Sequence, residues 1–333
     1  MDNLGVVHSP RRRVRLARHS DPVSDLLFTL ADVTEGLFTS EQARQCGVDQ
    51  NGLASLLESG SCLRLRRGLY VVSARWPAES QRRHLLIANG IYRQHGGRIA
   101  ASHHTSAMAA GLPTWGVPYS RPSFTRIGGL HTTGTAALRI GKAWPVDAVD
   151  PASAFPRIRP GVAALQIAMS YGVESALVTL DAALSAQTTD SGELQEWLDR
   201  LRGYRHCTRA RAVVALADAR SESPGESRLR YRLRGLGYLG LEPQVELRDG
   251  GRFVARVDLY DQGRNIAVEF DGAVKYEGAE GRSALIAEKR REDELRLMGV
   301  GVVRFAWSDL ASPVTLKTKM DRAHRVAAAG HCR

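Results

Sequence analysis

A chain of 333 residues with 43% hydrophobic content can bury a substantial core, and its length favours two or three domains over one. Its formal net charge of +11 creates a field that attracts polyanions, of which nucleic acid is the commonest. The four cysteines, Cys46, Cys62, Cys207 and Cys332, form no CxxC pair and so suggest neither a zinc knuckle nor a disulfide framework, and no apolar run is long enough to span a bilayer. A cytoplasmic protein with no membrane partner is the expectation.

Residues 1–21 are basic and contain the Arg11, Arg12, Arg13, Arg15 cluster, which is read as a flexible, solvated tail. A first domain is expected over 22–75. Ser24–Ala31 has helical apolar spacing, and Thr39 and Gln42 stand in capping-box positions for a second helix that starts near Ser40 and ends at Gly47. Gly52–Glu58 supplies a third helix closed by Gly60. Two short helices about a glycine turn suggest helix-turn-helix geometry. Cys62–Val72 then alternates apolar and basic residues around Gly68, as a two-stranded wing would, with Arg64, Arg66 and Arg67 facing outward near phosphate. Gln50 and Asn51 offer polar groups for base readout, and the wing arginines supply the salt-sensitive phosphate term.

The stretch Leu37–Val72 resembles the winged-helix domain of the AbiEi family of type IV antitoxins. The elements that carry the resemblance are Phe38-Thr39, Gly47 and Arg67-Gly68-Leu69-Tyr70. It implies DNA as a partner and a toxin or other defence-system protein as a second one. A scaffold or protein-docking surface built from the same helices is the alternative.

Residues 76–220 form a mixed, mainly helical middle region. Gln81–Tyr92 and Ala100–Pro113 are expected to be helices. The adjacent His103 and His104 invite a metal reading, but neighbouring helical side chains diverge and no acid sits at ligand spacing. The Ser102–Leu112 arrangement is similar to the segment that follows the winged helix in AbiEi-like proteins, which implies a structural role. Gly116–Pro160 predicts short strands and loops, Gly161–Ala186 two helices interrupted at Gly172, and Gly203–Ala219 another helix, before the Ser221–Gly225 linker.

The chemistry is expected in a domain over 221–315, followed by a helix or tail over 316–333. Glu226 stands in the first turn of a basic helix. Phe253–Tyr260 and Asn265–Asp271 read as neighbouring strands, placing Asp258 on one and Glu269 and Asp271 on one face of the other. Carboxylates converging in an apolar sheet repel unless a cation neutralises them, and oxygen-only ligands suit Mg2+ or Mn2+. Ser223 to about Leu310 resembles the very-short-patch-repair-like branch of the PD-(D/E)XK nuclease superfamily. The matching residues are Glu226, Asp258, the Val268–Gly272 block, Lys275, the basic stretch from Arg290 and the Arg304-Phe305 pair.

That resemblance implies metal ligation by Glu226, Asp258, Glu269 and Asp271, with Asp258, Glu269 and Lys275 as catalytic groups and Lys289 and Arg290 on flanking phosphates. One departure stands out: the superfamily carries Lys two residues beyond the second-strand acid, where this chain has Asp271. Phe305 and Trp307 are expected in the core. The fold class is therefore a multi-domain α/β protein with an N-terminal winged helix-turn-helix, a mixed middle region and a C-terminal restriction-endonuclease-like domain. Three functions follow: a metal-dependent endodeoxyribonuclease, a repressor or antitoxin whose nuclease-like domain only binds DNA, or a nuclease acting on RNA.

Overall fold

Local capping chemistry sets the first elements. Helix α1 (Pro22–Asp32) leads into strand β1 (Leu37–Thr39) and helix α2 (Ser40–Gln45). Thr39 Oγ1 accepts from Gln42 N at 3.1 Å while Gln42 Oε1 accepts from Thr39 N at 2.8 Å, a complete capping box. Helix α3 (Gln50–Glu58) is capped by Asp49, whose Oδ1 accepts from Gly52 N at 2.8 Å. Strands β2 (Cys62–Arg66) and β3 (Leu69–Val72) form the hairpin, and the sheet order is β1-β3-β2, all antiparallel. Leu27, Phe38, Ala43, Val48, Leu53 and Tyr70 share one core, with the Phe38 and Tyr70 rings stacked 5.5 Å apart. The element order is that of a winged helix, as the sequence predicts.

The structure, a computed structural model, describes residues 22–128, 133–135, 138–150, 155–272 and 289–330. The chain divides into two units, Met1–Ala78 and Glu79–Arg333. In the second, α4 (Ser80–Gln94) precedes β4 (Ile99–Ala101), α5 (His103–Ala109), β5 (Ser123–Arg126), β6 (Thr133–Thr135), β7 (Leu138–Gly141), β8 (Val149–Asp150) and β9 (Arg157–Ile158). These strands make a mixed sheet of order β6-β7-β5-β4-β9-β8. The helix expected from Ala100 is shorter: Ile99–Ala101 is instead a wholly buried strand, and helix begins only after Ser102.

Helices α6 (Pro160–Tyr171) and α7 (Val173–Ser185) are broken at Gly172, whose φ of +105° favours glycine. Every residue of α6 from Pro160 to Ala168 is buried, so the helix is enclosed on all sides. Helix α8 (Ser191–Arg200) adds to the expected elements, and Asp190 caps it, accepting from Glu193 N at 2.9 Å. Helix α9 spans Cys207–Leu216, inside the expected range.

Beyond it lie α10 (Pro224–Gly235), β10 (Leu241–Asp249), β11 (Arg252–Asp261), β12 (Ile266–Asp271), a helix over 289–297 (α11), β13 (Gly301–Ala306) and α12 (Pro313–Gly330). The sheet order is β10-β11-β12-β13, antiparallel except for the parallel β12–β13 pair. Leu229 and Leu233 of α10 and Leu316 and Met320 of α12 pack on Val268 and Phe305; Leu295 of α11 packs with Val257 and Ala267 in a second cluster. Alternation along β12 separates these two faces. The terminal helix thus shares the core of this sheet.

Two sequence expectations change here. Sequence periodicity marks no strand at β10, which is the edge partner of β11 along nearly its whole length. Ser221–Gly225, read as a linker, is packed: Ser221 and Gly225 are buried and Pro224 already starts α10. Ion pairs join the helices on either side of it, with Arg230–Asp181 at 2.7 Å and Arg228–Glu174 at 2.9 Å.

Candidate functional site

The head presents a polar helix and a basic hairpin. Gln50 and Asn51, in the first turn of α3, are exposed, while Leu53 is buried and anchors the helix. Arg64 and Arg67 are also exposed. Arg66 differs from expectation: it is half-buried, and its Nη1 is buried without a hydrogen-bond partner. The cause is a register shift between Arg64 and Arg66, which pair with Tyr70 and Leu69. The extra residue, Leu65, re-aims the side chain that follows it.

The second constellation is built where β11 and β12 part. Their ladder runs from Asp261–Ile266 to Leu259–Val268. One residue further, Asp258 Oδ2 accepts from Phe270 N at 2.7 Å, so a side chain satisfies an N–H that the ladder leaves open. Glu226 follows the Ser223 cap of α10; its Oε2 accepts from Glu222 N at 3.0 Å and Gln244 Nε2 at 2.9 Å. Gln244 adopts a left-handed φ of +56° within β10.

Burial pushes the Asp258 carboxyl up to about 6. Phe270 N–H opposes that shift, and the nearby charges of Glu226, Glu269 and Glu222 add to it. Glu226 and Glu269 thus both lie within electrostatic reach of Asp258.

Glu269 is neutralised from its own neighbours. It stands in register with Arg304 on β13, and Arg304 Nε donates to Glu269 Oε2 at 2.9 Å. Arg291 of α11 lies 3.7 Å from the other oxygen, and Arg304 also reaches Glu292 at 3.2 Å. Arg304 belongs to the quoted Arg-Phe pair, but its partner emerges only with the parallel β12–β13 register. Asp271 lies at the exposed end of β12. Lys289 and Arg290 are exposed in α11, and Lys275 lies outside the described residues.

Glu269 meets arginines at both oxygens, while Asp258 and Glu226 accept through one oxygen each, Oδ2 and Oε2. Each of the three acids already accepts from an N–H or a guanidinium, and among the described residues no group of three or more His, Cys, Asp or Glu side chains is placed to hold a metal ion. Oxygen ligands for Mg2+ need free lone pairs converging on one point.

Beside the acids is an aromatic group. Phe305 is core as expected, but Trp307 is 40% exposed, edge-on to Phe270 at 4.9 Å and stacked on Trp115 at 5.8 Å. The Arg228 guanidinium sits 3.6 Å from the Trp115 ring centre. No helix among the described residues is long and apolar enough to cross a membrane.

Two curated proteins resemble part of the chain. They are uncharacterized protein MT2308 of Mycobacterium tuberculosis (strain CDC 1551 / Oshkosh) and uncharacterized protein Rv2248 of Mycobacterium tuberculosis (strain ATCC 25618 / H37Rv), each 28% identical over 151 residues. The match covers 45% of this chain and 55% of each relative, so the chain spans about half the length of the curated relatives it matches. A family model described as "Transcriptional regulator, AbiEi antitoxin" matches residues 25–73, which coincide with the winged-helix elements from α1 to β3.

Proposed function

We propose that the chain is a DNA-binding transcriptional regulator of the antitoxin kind, held on duplex DNA by its winged-helix head. The observation that carries this is the coincidence of the family match over 25–73 with an exposed α3 and an arginine-bearing hairpin. Gln50 and Asn51 read base edges from the first turn of α3, and Arg64 and Arg67 hold phosphates. A toxin or other defence-system protein is the second partner.

The C-terminal sheet is proposed to have a restriction-endonuclease-like fold that binds DNA without cutting it. Its support is the order β10-β11-β12-β13 with a parallel last pair, combined with an Arg304–Glu269 pair in place of a free carboxylate. Exposed Lys289 and Arg290 suit phosphate contacts. One observation favours a second reading, phosphodiester hydrolysis: the Asp258 carboxyl, raised to about 6, faces Glu226 and Glu269. Lys275 would belong to that site.

Selection of bound sequences from a random duplex library tests the main proposal. Recovery of a defined motif, whose preference relaxes in Gln50→Ala or Asn51→Ala, is the expected outcome. Recovery of random sequence by the unmodified chain would contradict base readout by α3.

A further inference from the structure

The positive charge of the chain is unevenly placed. Residues 80–146 hold seven arginines and one lysine and no Asp or Glu, so this stretch supplies +8 of the net +11. Residues 22–78 hold five basic and six acidic residues. The excess cation therefore lies in the six-stranded sheet and its helices rather than in the described head.

Within that sheet, polar side chains gather on one row. Ser102 N donates to Ser123 O at 2.9 Å, which carries the β4–β5 ladder one residue past Ala101, and Ser123 is in register with Arg139 across β5–β7. Ser102, Ser123 and Arg139 thus project from one face of three neighbouring strands. Gln166 of α6 closes over them: its Oε1 accepts from His103 N at 2.8 Å, and Arg139 Nη1 donates to Ser170 Oγ at 3.2 Å.

The row is buried and under-satisfied. Ser102 and Ser123 are 0% exposed and Gln166 1%, yet Ser123 Oγ and Gln166 Nε2 have no hydrogen-bond partner. Such atoms cost free energy unless something pairs with them. Ser170 is the one hydrogen-bond partner of the Arg139 guanidinium among the described residues, and no carboxylate faces it there. Arg121 adds a second cation: its Nη2 approaches Gly134, which flanks Arg139, and its Nε is buried without a partner.

His103 opens α5 at a φ of +52°, a conformation that side chains rarely adopt and that marks stored strain. The turn aims its N–H at Gln166 and leaves Nδ1 3.0 Å from Ser102 Oγ. Burial holds the imidazole well below its ordinary range, and the charges of Arg139 and His104 push in the same direction. The surroundings of this ring are positive.

We propose that Ser102, His103, Ser123, Arg139 and Gln166 form a binding site for the phosphate group of a small phosphorylated ligand, such as a mononucleotide, approached from the half-buried Arg139–Ser170 side. Guanidinium, hydroxyl and amide N–H groups are all donors to phosphate oxygens, and among the described residues none of these groups is ion-paired with an acid. Deep burial of the two serines and Gln166 favours a small ligand over a duplex. The site goes beyond DNA binding and gives a regulator a place for an effector.

Calorimetric titration of the full chain with inorganic phosphate and with adenosine 5′-monophosphate, at ionic strength fixed with chloride, tests this. Saturable binding is expected, weakened at least about ten-fold by Arg139→Gln. Arg98→Gln, a basic residue of the same stretch outside the row, should leave it unchanged. Gln166→Glu keeps the acceptor for His103 N and places a carboxylate one helical turn from Ser170, the partner of Arg139. It should abolish phosphate binding with the native circular-dichroism spectrum retained, so that lost binding is not confused with misfolding. A parallel titration with duplex DNA separates the phosphate sources. If Arg139→Gln weakens mononucleotide but not duplex binding, the small-ligand site stands; if it weakens duplex binding alone, the row contacts a nucleic-acid backbone and the proposal fails. No saturable binding of either phosphate or mononucleotide, or equal weakening by Arg98→Gln and Arg139→Gln, also overturns it.

Discussion

Asp258 Oδ2 takes the N–H of Phe270 at 2.7 Å at the point where the β11–β12 ladder ends. The carboxylate therefore substitutes for a strand partner, and it does so beside Glu226 and Glu269.

That position makes stability pH-dependent in a defined direction. The folded carboxyl titrates at about 6, above its ordinary 3.8. Between those values the native state binds more protons than the unfolded one, so this group's contribution is full below about 3.8 and is lost as pH rises through 6. Asp258→Asn keeps an acceptor for Phe270 N. It should stabilise the chain by up to about 2 kcal/mol at pH 7.5, allowing for solvent screening at a half-buried site, with the gain gone by pH near 4. Chemical denaturation of both proteins at the two pH values measures this; an equal gain at both would mean that titration of Asp258 is not its source.

Arg304→Gln should leave Arg291, at 3.7 Å, as the one arginine beside Glu269 among the described residues. A cost of about 1–3 kcal/mol is expected, because the carboxylate that loses its partner is mostly buried. The Asp258 midpoint should also climb, since an unneutralised neighbour opposes its ionisation. Carboxyl-carbon NMR follows that midpoint, and an unmoved value would show that Arg304 does not screen the pair.

Gly225→Ala places a methyl 2.0 Å from the Phe270 ring. Helix α10 approaches β12 this closely only because residue 225 has no side chain. Overpacking of about 1–3 kcal/mol is expected in thermal unfolding. A neutral outcome would mean that the ring moves aside freely.

Arg228→Lys keeps the charge near Glu174 but loses the flat face over Trp115, 3.6 Å from the ring centre. Stability should fall by about 1–2 kcal/mol, with a change in tryptophan emission that reports the Trp115–Trp307 stack. Unchanged emission would separate Arg228 from that stack.

The head was legible because its signals are local. Thr39 and Gln42 cap a helix three residues apart, and Gly68 turns a hairpin between alternating apolar residues. The inward Arg66 was not legible, since a one-residue bulge reverses alternation without any mark in composition. In the C-terminal part, the strands bearing Asp258, Glu269 and Asp271 were found by periodicity, while β10 escaped because Pro243 and scattered charges break its pattern. The pairing of Glu269 with Arg304 is set by a parallel register between residues 35 apart. The row of Ser102, Ser123 and Arg139 depends on neighbouring strands far apart in the chain, and no local pattern joins Ser102 to Ser123 or Arg139.

The most direct test of the regulator account is fluorescence anisotropy of the full chain on duplex DNA from its own promoter region, in EDTA, across a salt series. Binding without divalent metal is expected. Arg64→Ala combined with Arg67→Ala should weaken it and reduce the slope of log affinity against log salt by about 2, one for each phosphate contact removed. Failure to bind duplex in EDTA, together with Mg2+-dependent nicking of plasmid that disappears in Asp258→Ala, would contradict the account and establish the chain as a nuclease.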